Sequence, residues 1–104
     1  MIAYDLIGQT PLVLLESFSD ENVKIYAKLE QFNPGGSVKD RLGKYLVETA
    51  IEDGRLKEGG TIVEATAGNT GIGLAIAANR FRVKCVIFAP VSYTHLTLPT
   101  KRIG

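Results

Sequence analysis

The segment Asn33–Arg41, which reads Asn-Pro-Gly-Gly-Ser-Val-Lys-Asp-Arg, constrains this chain more than any other part of the sequence. A glycine pair precedes Ser37, and Ser37 with Asp40 matches the [ST]-x-x-[DE] pattern of a helix start. The sequence therefore predicts a helix with Ser37 as its N-cap and Lys39 in its first turn. The positive end of the helix dipole disfavours a cation there. Lys39 is thus either an idle solvated lysine or a candidate for chemistry that needs a neutral amine.

A second unusual segment, Glu64–Gly73, lies between a β-branched run, Thr61–Val63, and an apolar run, Ile72–Phe81. Strand, glycine-rich turn and helix in this order are typical of an anion site made of free backbone amides. The glycines follow G-x-x-G-x-G, not G-x-G-x-x-G, and residues 81–90 contain no acid that could hold a ribose. No G-x-x-x-x-G-K-[ST] motif is present. The alternative is a purely structural corner, although Asn69 inside the turn can cap a helix or orient a ligand.

Hydrophobic periodicity predicts alternating strands and helices in β-α-β-α-β order, with right-handed crossovers. The predicted strands are Pro11–Leu15, Lys24–Leu29, Thr61–Ala65 and Val83–Ala89, and the predicted helices are Val38–Asp53 and Thr70–Arg80. The last strand is nearly continuously apolar, as a parallel sheet covered on both faces requires. The second helix is apolar or small almost all round and is therefore predicted to be buried.

The first predicted helix has an apolar stripe at i, i+4 spacing and one internal glycine. The stripe consists of Val38, Leu42, Leu46 and Ala50. Gly43 costs roughly 1 kcal/mol relative to alanine in a helix, so close packing against another backbone is expected there. Gly54 is the predicted stop signal.

Composition narrows the class of protein. The chain has 104 residues, 45% hydrophobic and 22% charged, which is ordinary for one globular domain. A net charge of +1 argues against a nucleic-acid or anionic-membrane surface. No apolar run approaches the ~20 residues of a membrane helix, and no signal peptide is seen. The single cysteine, Cys85, excludes an internal disulfide and is expected to be buried and reduced. A cytoplasmic location is therefore expected.

With both segments in view, the chain resembles the cysteine synthase and cystathionine β-synthase family of pyridoxal-phosphate (PLP) enzymes. The matching stretches lie between about Asp5 and Pro90: Ile7–Val13, Lys28–Glu30, Asn33–Arg41, Gly59–Thr66 and Gly68–Gly73. The resemblance implies an α/β fold, the three-layer parallel-sheet, Rossmann-like fold of the tryptophan-synthase-β-like PLP enzymes, here truncated. Related enzymes acting on threonine or serine tend to carry phenylalanine before the lysine, so Val38 favours the cysteine-forming branch.

The resemblance also implies roles for individual residues. Lys39 matches the lysine that holds the cofactor covalently, and Asn69 matches the asparagine that hydrogen-bonds the cofactor ring oxygen. Thr66, Ala67, Gly68, Asn69 and Thr70 match the loop that clasps the substrate carboxylate. Ala67 departs from the serine of most relatives, which removes one hydroxyl but leaves the backbone donors. No metal site is expected.

The reaction implied by the family is β-replacement on O-acetylserine or serine. The lysine amine removes the α-proton, the group on the β-carbon leaves, and a thiol nucleophile adds. Sulfide gives cysteine and homocysteine gives cystathionine, and the sequence leaves both open. A catalytically inactive fragment or an anion-binding α/β module is the alternative of another class. The expected partners are an amino-acid substrate and sulfide or a thiol, and the full-length parent is expected to be a homodimer.

Beyond Pro90 the character of the sequence changes. The tail, residues 91–104, contains no acid and holds the single histidine, His95. The run Val91–Leu96 resembles a translated sequencing adapter, so residues 1–90 are predicted to be the N-terminal portion of the enzyme and 91–104 a non-native tail. The cofactor-phosphate loop and the partner of the ring nitrogen are expected later in the parent chain. The 104-residue chain is therefore expected to be inactive by itself.

Overall fold

The structure, a computed structural model, describes residues 1–66 and 68–90. Within these residues, three 3-10 helices lie among two α-helices and four strands. The 3-10 helices are Ala3–Leu6, Glu16–Phe18 and Glu30–Phe32; the strands and α-helices are β1 (Leu12–Leu14), β2 (Tyr26–Lys28), α1 (Lys39–Glu52), β3 (Thr61–Ala65), α2 (Asn69–Arg80) and β4 (Lys84–Phe88). The predicted strand Thr61–Ala65 is confirmed at both ends, and each helix is confirmed to within one residue at each end. The predicted tail lies outside the described residues.

The two sheets have different topologies. β3 and β4 are parallel and are joined through α2, with Thr61 beside Lys84 and Ala65 beside Phe88. β1 and β2 form a separate antiparallel pair. Among the described strands, only those of the β3–α2–β4 unit are parallel. The predicted β-α-β-α-β arrangement is therefore correct for that unit alone. β2, the strand before α1, pairs with β1 across the connection formed by residues 15–25, which contains the 3-10 helix Glu16–Phe18.

The apolar stripe predicted for α1 is wrong about which face is buried. Val38, Leu42 and Leu46 are 48%, 39% and 41% exposed, whereas Asp40 and Val47 are buried. The buried face also contains Gly43, which faces α2. Apolar periodicity missed this face because a glycine and an aspartate carry no hydrophobic signal. The stop signal at Gly54 is confirmed: its φ is +83°, and its N–H donates to the carbonyl of Ile51 at 3.2 Å.

The core lies between α1, α2 and the N-terminal 3-10 helix. Its buried members are Tyr4, Ile7, Val47, Leu74 and Ala77. Tyr4 packs edge-on against Phe81, with ring centroids 5.7 Å apart, and its hydroxyl donates to Glu48 of α1. This contact fixes the N-terminal segment to both helices.

One face of the β3–β4 pair is open. Val63 and Phe88 are 61% and 62% exposed, so within the described residues the last strand lacks the cover on both faces that its apolar sequence requires. Cys85 is half-buried and unpaired, and burial raises the pKa of its thiol. Among the described residues, no helix is long and apolar enough to cross a membrane.

Candidate active site around Lys39

Lys39 is the first residue of α1, and its side chain is exposed. Its backbone N–H donates to the Ser37 hydroxyl oxygen at 3.1 Å. The helix begins two residues after Ser37, so the predicted boundary is displaced by one residue. The N-cap is Val38, which makes no side-chain capping bond, so the prediction of Ser37 as N-cap is wrong by one residue. The Ser37 hydroxyl still accepts a first-turn N–H that has no partner within the helix.

Asp40 does not complete the predicted capping box. Its carboxylate accepts the backbone N–H of Gly35 instead of reaching back to Ser37. Asp40 is fully buried, and its second oxygen has no hydrogen-bond partner within residues 1–66 and 68–90. A Cβ at Gly35 would overlap this carboxylate and lie 2.9 Å from Cδ1 of Ile76. Glycine at position 35 is therefore required for Asp40 to fold under the turn.

The buried amide of Asn33 holds the turn that leads to Lys39. Its Nδ2 donates to the carbonyl oxygens of Glu30 and Ser37 at 3.0 Å each, and to the Glu30 carboxylate at 2.9 Å. Its Oδ1 accepts the N–H of Gly8 at 2.8 Å. Gly36, with φ +88°, closes the turn by donating to the Asn33 carbonyl. The Asn33 side chain thus joins the segments around Gly8, Glu30 and Ser37, and the last of these leads directly into Lys39.

Glu30 and Arg41 belong to the same polar network, and Arg41 lies two residues after Lys39 in the sequence. Arg41 donates from Nε to one Glu30 oxygen at 2.7 Å and from a terminal nitrogen to the other at 3.0 Å. The hydroxyl of Thr10 donates to Glu30 at 2.8 Å. These hydrogen bonds, led by that from Arg41, lower the pKa of Glu30 to about 2. The network therefore keeps an ionised carboxylate at ordinary pH.

Sequence reasoning gave no role to Thr10, Glu30, Asn33 or Arg41. All four lie in the stretches that carry the family resemblance. Asn33 contacts Glu30 and Ser37 at separations of 3 and 4 residues, but the other contacts of the network join residues 11 to 33 positions apart. Local motifs do not predict contacts at such separations. The available sequence signal for this network was the Asn33-Pro34 pair in the turn before α1.

The glycine-rich turn stands at the start of α2. Asn69 is the first helical residue and is exposed, Thr70 is half-buried, and Gly68 is exposed in an extended conformation. The Gly68 N–H donates to the Thr66 hydroxyl at 3.4 Å. Ala67, a predicted site residue, lies outside the described residues. The backbone amides that open α2 have no carbonyl partner within the helix and face the region where an anion is favoured.

This turn lies at the carboxyl edge of the parallel strand pair. An open pocket there is lined by Ala65, Thr66, Phe88, Ala89 and Pro90. In open α/β sheets, ligands bind beyond the carboxyl ends of the strands. The pocket is therefore in the position expected for a ligand held by the turn.

The two helices that carry Lys39 and Asn69 cross with glycine on both sides. A Cβ at Gly73 would overlap the carbonyl oxygen of Lys39 and lie 3.1 Å from the Cα of Asp40. A Cβ at Gly43 would overlap the backbone of Gly73. The close backbone packing predicted at Gly43 is therefore confirmed. The crossing brings the backbone of Lys39 against α2, one helical turn after Asn69.

These residues fit a cofactor with a reactive carbonyl and acidic substituents. Lys39 supplies an exposed primary amine, and the first turn of α2 supplies amide donors beside the Asn69 side chain. At Gly68, no described atom lies within 4 Å of an added Cβ, so a ligand has room against the backbone. Amine, amides and open space together match the requirements of PLP, with its aldehyde and ring oxygen.

Comparison with known proteins shows which protein family the chain belongs to. The family described as pyridoxal-phosphate dependent enzyme matches residues 3–102. The chain belongs to this family. Two curated relatives are similar over most of the chain: O-acetylserine dependent cystathionine beta-synthase of Bacillus subtilis, 52% identical over 91 residues, and cysteine synthase 1 of Emericella nidulans, 54% identical over 87 residues. These alignments cover 86% and 83% of this chain, but 30% and 24% of the relatives.

A solved structure of this PLP family confirms the fold. O-acetylserine sulfhydrylase isoform 3 of Entamoeba histolytica superposes with a TM-score of 0.82 at 45% identity, covering 91% of this chain and 30% of that chain. The α/β fold class expected from the sequence is confirmed. The chain spans less than a third of the length of these three proteins.

Proposed function

We propose that this chain is the N-terminal part of a PLP enzyme that performs β-replacement on O-acetylserine or serine. Sulfide is the proposed nucleophile and L-cysteine the product. The observation that carries the proposal is the pairing of an exposed lysine and a glycine-rich turn at adjoining ends of two crossing helices. Two of the similar proteins are named as a cysteine synthase and an O-acetylserine sulfhydrylase, which supports the reaction class.

In this proposal Lys39 holds the cofactor through its amine and, once released by the substrate, accepts the α-proton at Nζ. PLP, when bound, supplies the electron sink that makes this proton acidic. The Asn33 turn and the Glu30–Arg41 network fix the backbone from which the Lys39 side chain extends. The lysine therefore returns to the same place after each proton transfer.

The turn at the start of α2 is assigned to the substrate and the cofactor ring. The amide of Asn69 would orient the ring oxygen. Thr66, Ala67, Gly68, Asn69 and Thr70 would hold the α-carboxylate with hydroxyls and backbone N–H groups. Negative charge at a helix N-terminus is stabilised by the dipole and by unpaired amides. Ala67 offers only its backbone donor, so the hydroxyls come from Thr66 and Thr70.

Proteins of this family act on amino-acid substrates with sulfide or thiols. For the full-length protein we propose a cytoplasmic homodimer with no nucleic-acid or membrane partner. Residues 1–90 would form the enzyme's N-terminal portion and residues 91–104 a non-native tail.

A second candidate is cystathionine synthesis with homocysteine as the thiol. The name of the B. subtilis relative, O-acetylserine dependent cystathionine beta-synthase, favours it. Both candidates use the same donor and the same lysine, so they differ only in the nucleophile.

The test is a parallel assay of the full-length protein with O-acetylserine and either sulfide or homocysteine, with serine as a second donor. The proposal expects cysteine formation with the higher kcat/KM. A higher kcat/KM for homocysteine would select the second candidate. Absence of turnover with every pair would reject β-replacement.

A further inference from the structure

The backbones of Gly73 and Lys39 lie closer together than the backbones of packed helices usually do. A side chain normally separates two packed helices, whose axes lie about 8–10 Å apart. Here a methyl group at position 73 would overlap the Lys39 carbonyl oxygen and approach its carbonyl carbon to 2.9 Å. The backbone of the proposed cofactor lysine therefore rests directly on the backbone of α2.

Two further glycines complete this arrangement around Lys39–Asp40. A Cβ at Gly43, one turn along α1, would collide with the carbonyl group of Gly73 and lie 2.7 Å from the backbone nitrogen of Leu74. On the other side, Gly35 packs between the buried Asp40 carboxylate and the Ile76 side chain of α2. The start of α1 is thus held against α2 over a full helical turn, with no flexible side chain in between.

The same helix carries the glycine-rich turn. Asn69 precedes Gly73 by four residues, about 6 Å along a rigid helix. The turn at Gly68–Thr70 and the backbone of Lys39 therefore move together, unless α2 slides over α1 at the closest point of the crossing. Close-packed interfaces do not deform continuously, so such sliding is costly.

We infer that Gly73 is a positioning residue, which sets the separation between the Lys39 amine and the Gly68–Thr70 turn. The inference rests on the proposed function, because it assigns catalytic roles to both partners. Gly43 acts at the same crossing from the opposite helix. Neither glycine touches substrate; both act by allowing the two backbones to meet.

The decisive variant is Gly73→Ala in the full-length protein. Non-bonded heavy atoms settle at about 3.5 Å or more, so the added methyl must part the helices by about 1 Å. A misplacement of about 1 Å lowers catalysis on the order of 100-fold. We expect kcat to fall by about that factor and PLP affinity, measured by absorbance titration of the cofactor-free protein, to weaken as well. Gly43→Ala should lower kcat and PLP affinity in the same way. The double variant should lose less kcat than the product of the two single-variant factors, because both methyl groups part the same crossing.

Val47→Ala is the matched control. Val47 is buried on the same face of α1, one turn beyond Gly43, and its truncation removes core volume without adding an atom at the crossing. It should lower the melting temperature while leaving kcat and PLP affinity nearly unchanged. If Gly73→Ala does not fold, Gly43→Ala tests the same crossing from α1, because its methyl group would meet the backbone of Gly73 and Leu74. It should reduce kcat more than Val47→Ala does.

The outcomes separate this inference from the proposed function. If the wild-type protein is active and holds PLP on Lys39, but the Gly73 or Gly43 variant loses no more kcat and PLP affinity than Val47→Ala, Gly73 has only a structural role and the inference fails alone. If the wild-type protein holds no PLP on Lys39, the proposed function fails and the inference fails with it.

Discussion

The surroundings of the Lys39 backbone are closely packed, whereas the carboxyl edge of the β3–β4 pair is exposed. Around Lys39, a buried asparagine, a buried aspartate and a glycine crossing leave no space. At the strand edge, Phe88 and Val63 are mostly exposed and the pocket is open. The chain by itself therefore builds the support for the lysine, whereas the opposite side of the site is left uncovered.

The difference indicates which part of the chemistry each region determines. In the proposed reaction Lys39 acts on one proton and needs a fixed backbone, and that backbone is held by contacts within residues 8–41 and by α2. An open apolar edge needs further protein to exclude water from the reaction. The relatives, of which the alignments cover only 30% and 24%, have further chain that is consistent with such a cover.

The largest effect is expected for Lys39→Ala in the full-length protein. Loss of the amine removes both the cofactor attachment and the proton acceptor, so turnover should fall at least ~10³-fold. Steady-state kinetics with O-acetylserine measures it. Lys44→Ala, one turn away on α1, is the control and should retain activity. A Lys39→Ala protein with normal turnover would show that the tightly built region is not catalytic.

Phe88→Ser probes the open region. If the rest of the full-length protein covers this edge, the substitution should cost about 3 kcal/mol, as for a buried phenylalanine. Lys84→Ser on the same strand should stay within about 0.5 kcal/mol. Urea denaturation of the full-length protein measures both. Equal, small effects would mean that the edge stays exposed, and the contrast between the two regions would then be intrinsic to the enzyme.

Asn33→Ala probes the closed region. The side chain is 3% exposed and makes four hydrogen bonds. Its removal leaves buried groups of Gly8 and Ser37 without partners, which should cost about 2 kcal/mol. Chemical denaturation gives the value, with exposed Asn22→Ala as the control. A cost no larger than that of the control would show that the turn is held without the asparagine.

The smallest effect concerns pH. The pKa of Glu30 is lowered from 4.5 to about 2, chiefly by the hydrogen bond from Arg41. The unfolded chain therefore binds more protons than the folded one in this interval. The contribution of Glu30 is complete above pH 4.5 and is lost as the pH falls toward 2. Glu30→Gln should flatten the acid slope of unfolding stability in that window. Superimposable slopes for the two proteins would refute the role of the network.

The helices and the strands β3 and β4 could be predicted from the sequence because they depend on local signals. The Ser37 start of α1, the stop at Gly54 and the β-branched run of β3 all act over a few residues. Gly43 was informative because a glycine within a helix marks a close approach. The buried face of α1 could not be predicted from periodicity, since Asp40 and Gly43 carry no apolar signal. Asn33 and Glu30 are three residues apart, but the contacts of Arg41 with Glu30 and Gly8 join residues 11 and 33 positions apart, so the network as a whole forms only on folding.

The most direct test of the account is to identify the residue that carries the cofactor. The full-length protein, loaded with PLP, reduced with borohydride and digested, should give one pyridoxyl-labelled peptide, with the label on Lys39. A label on any other lysine, or no label after loading, would contradict the central claim.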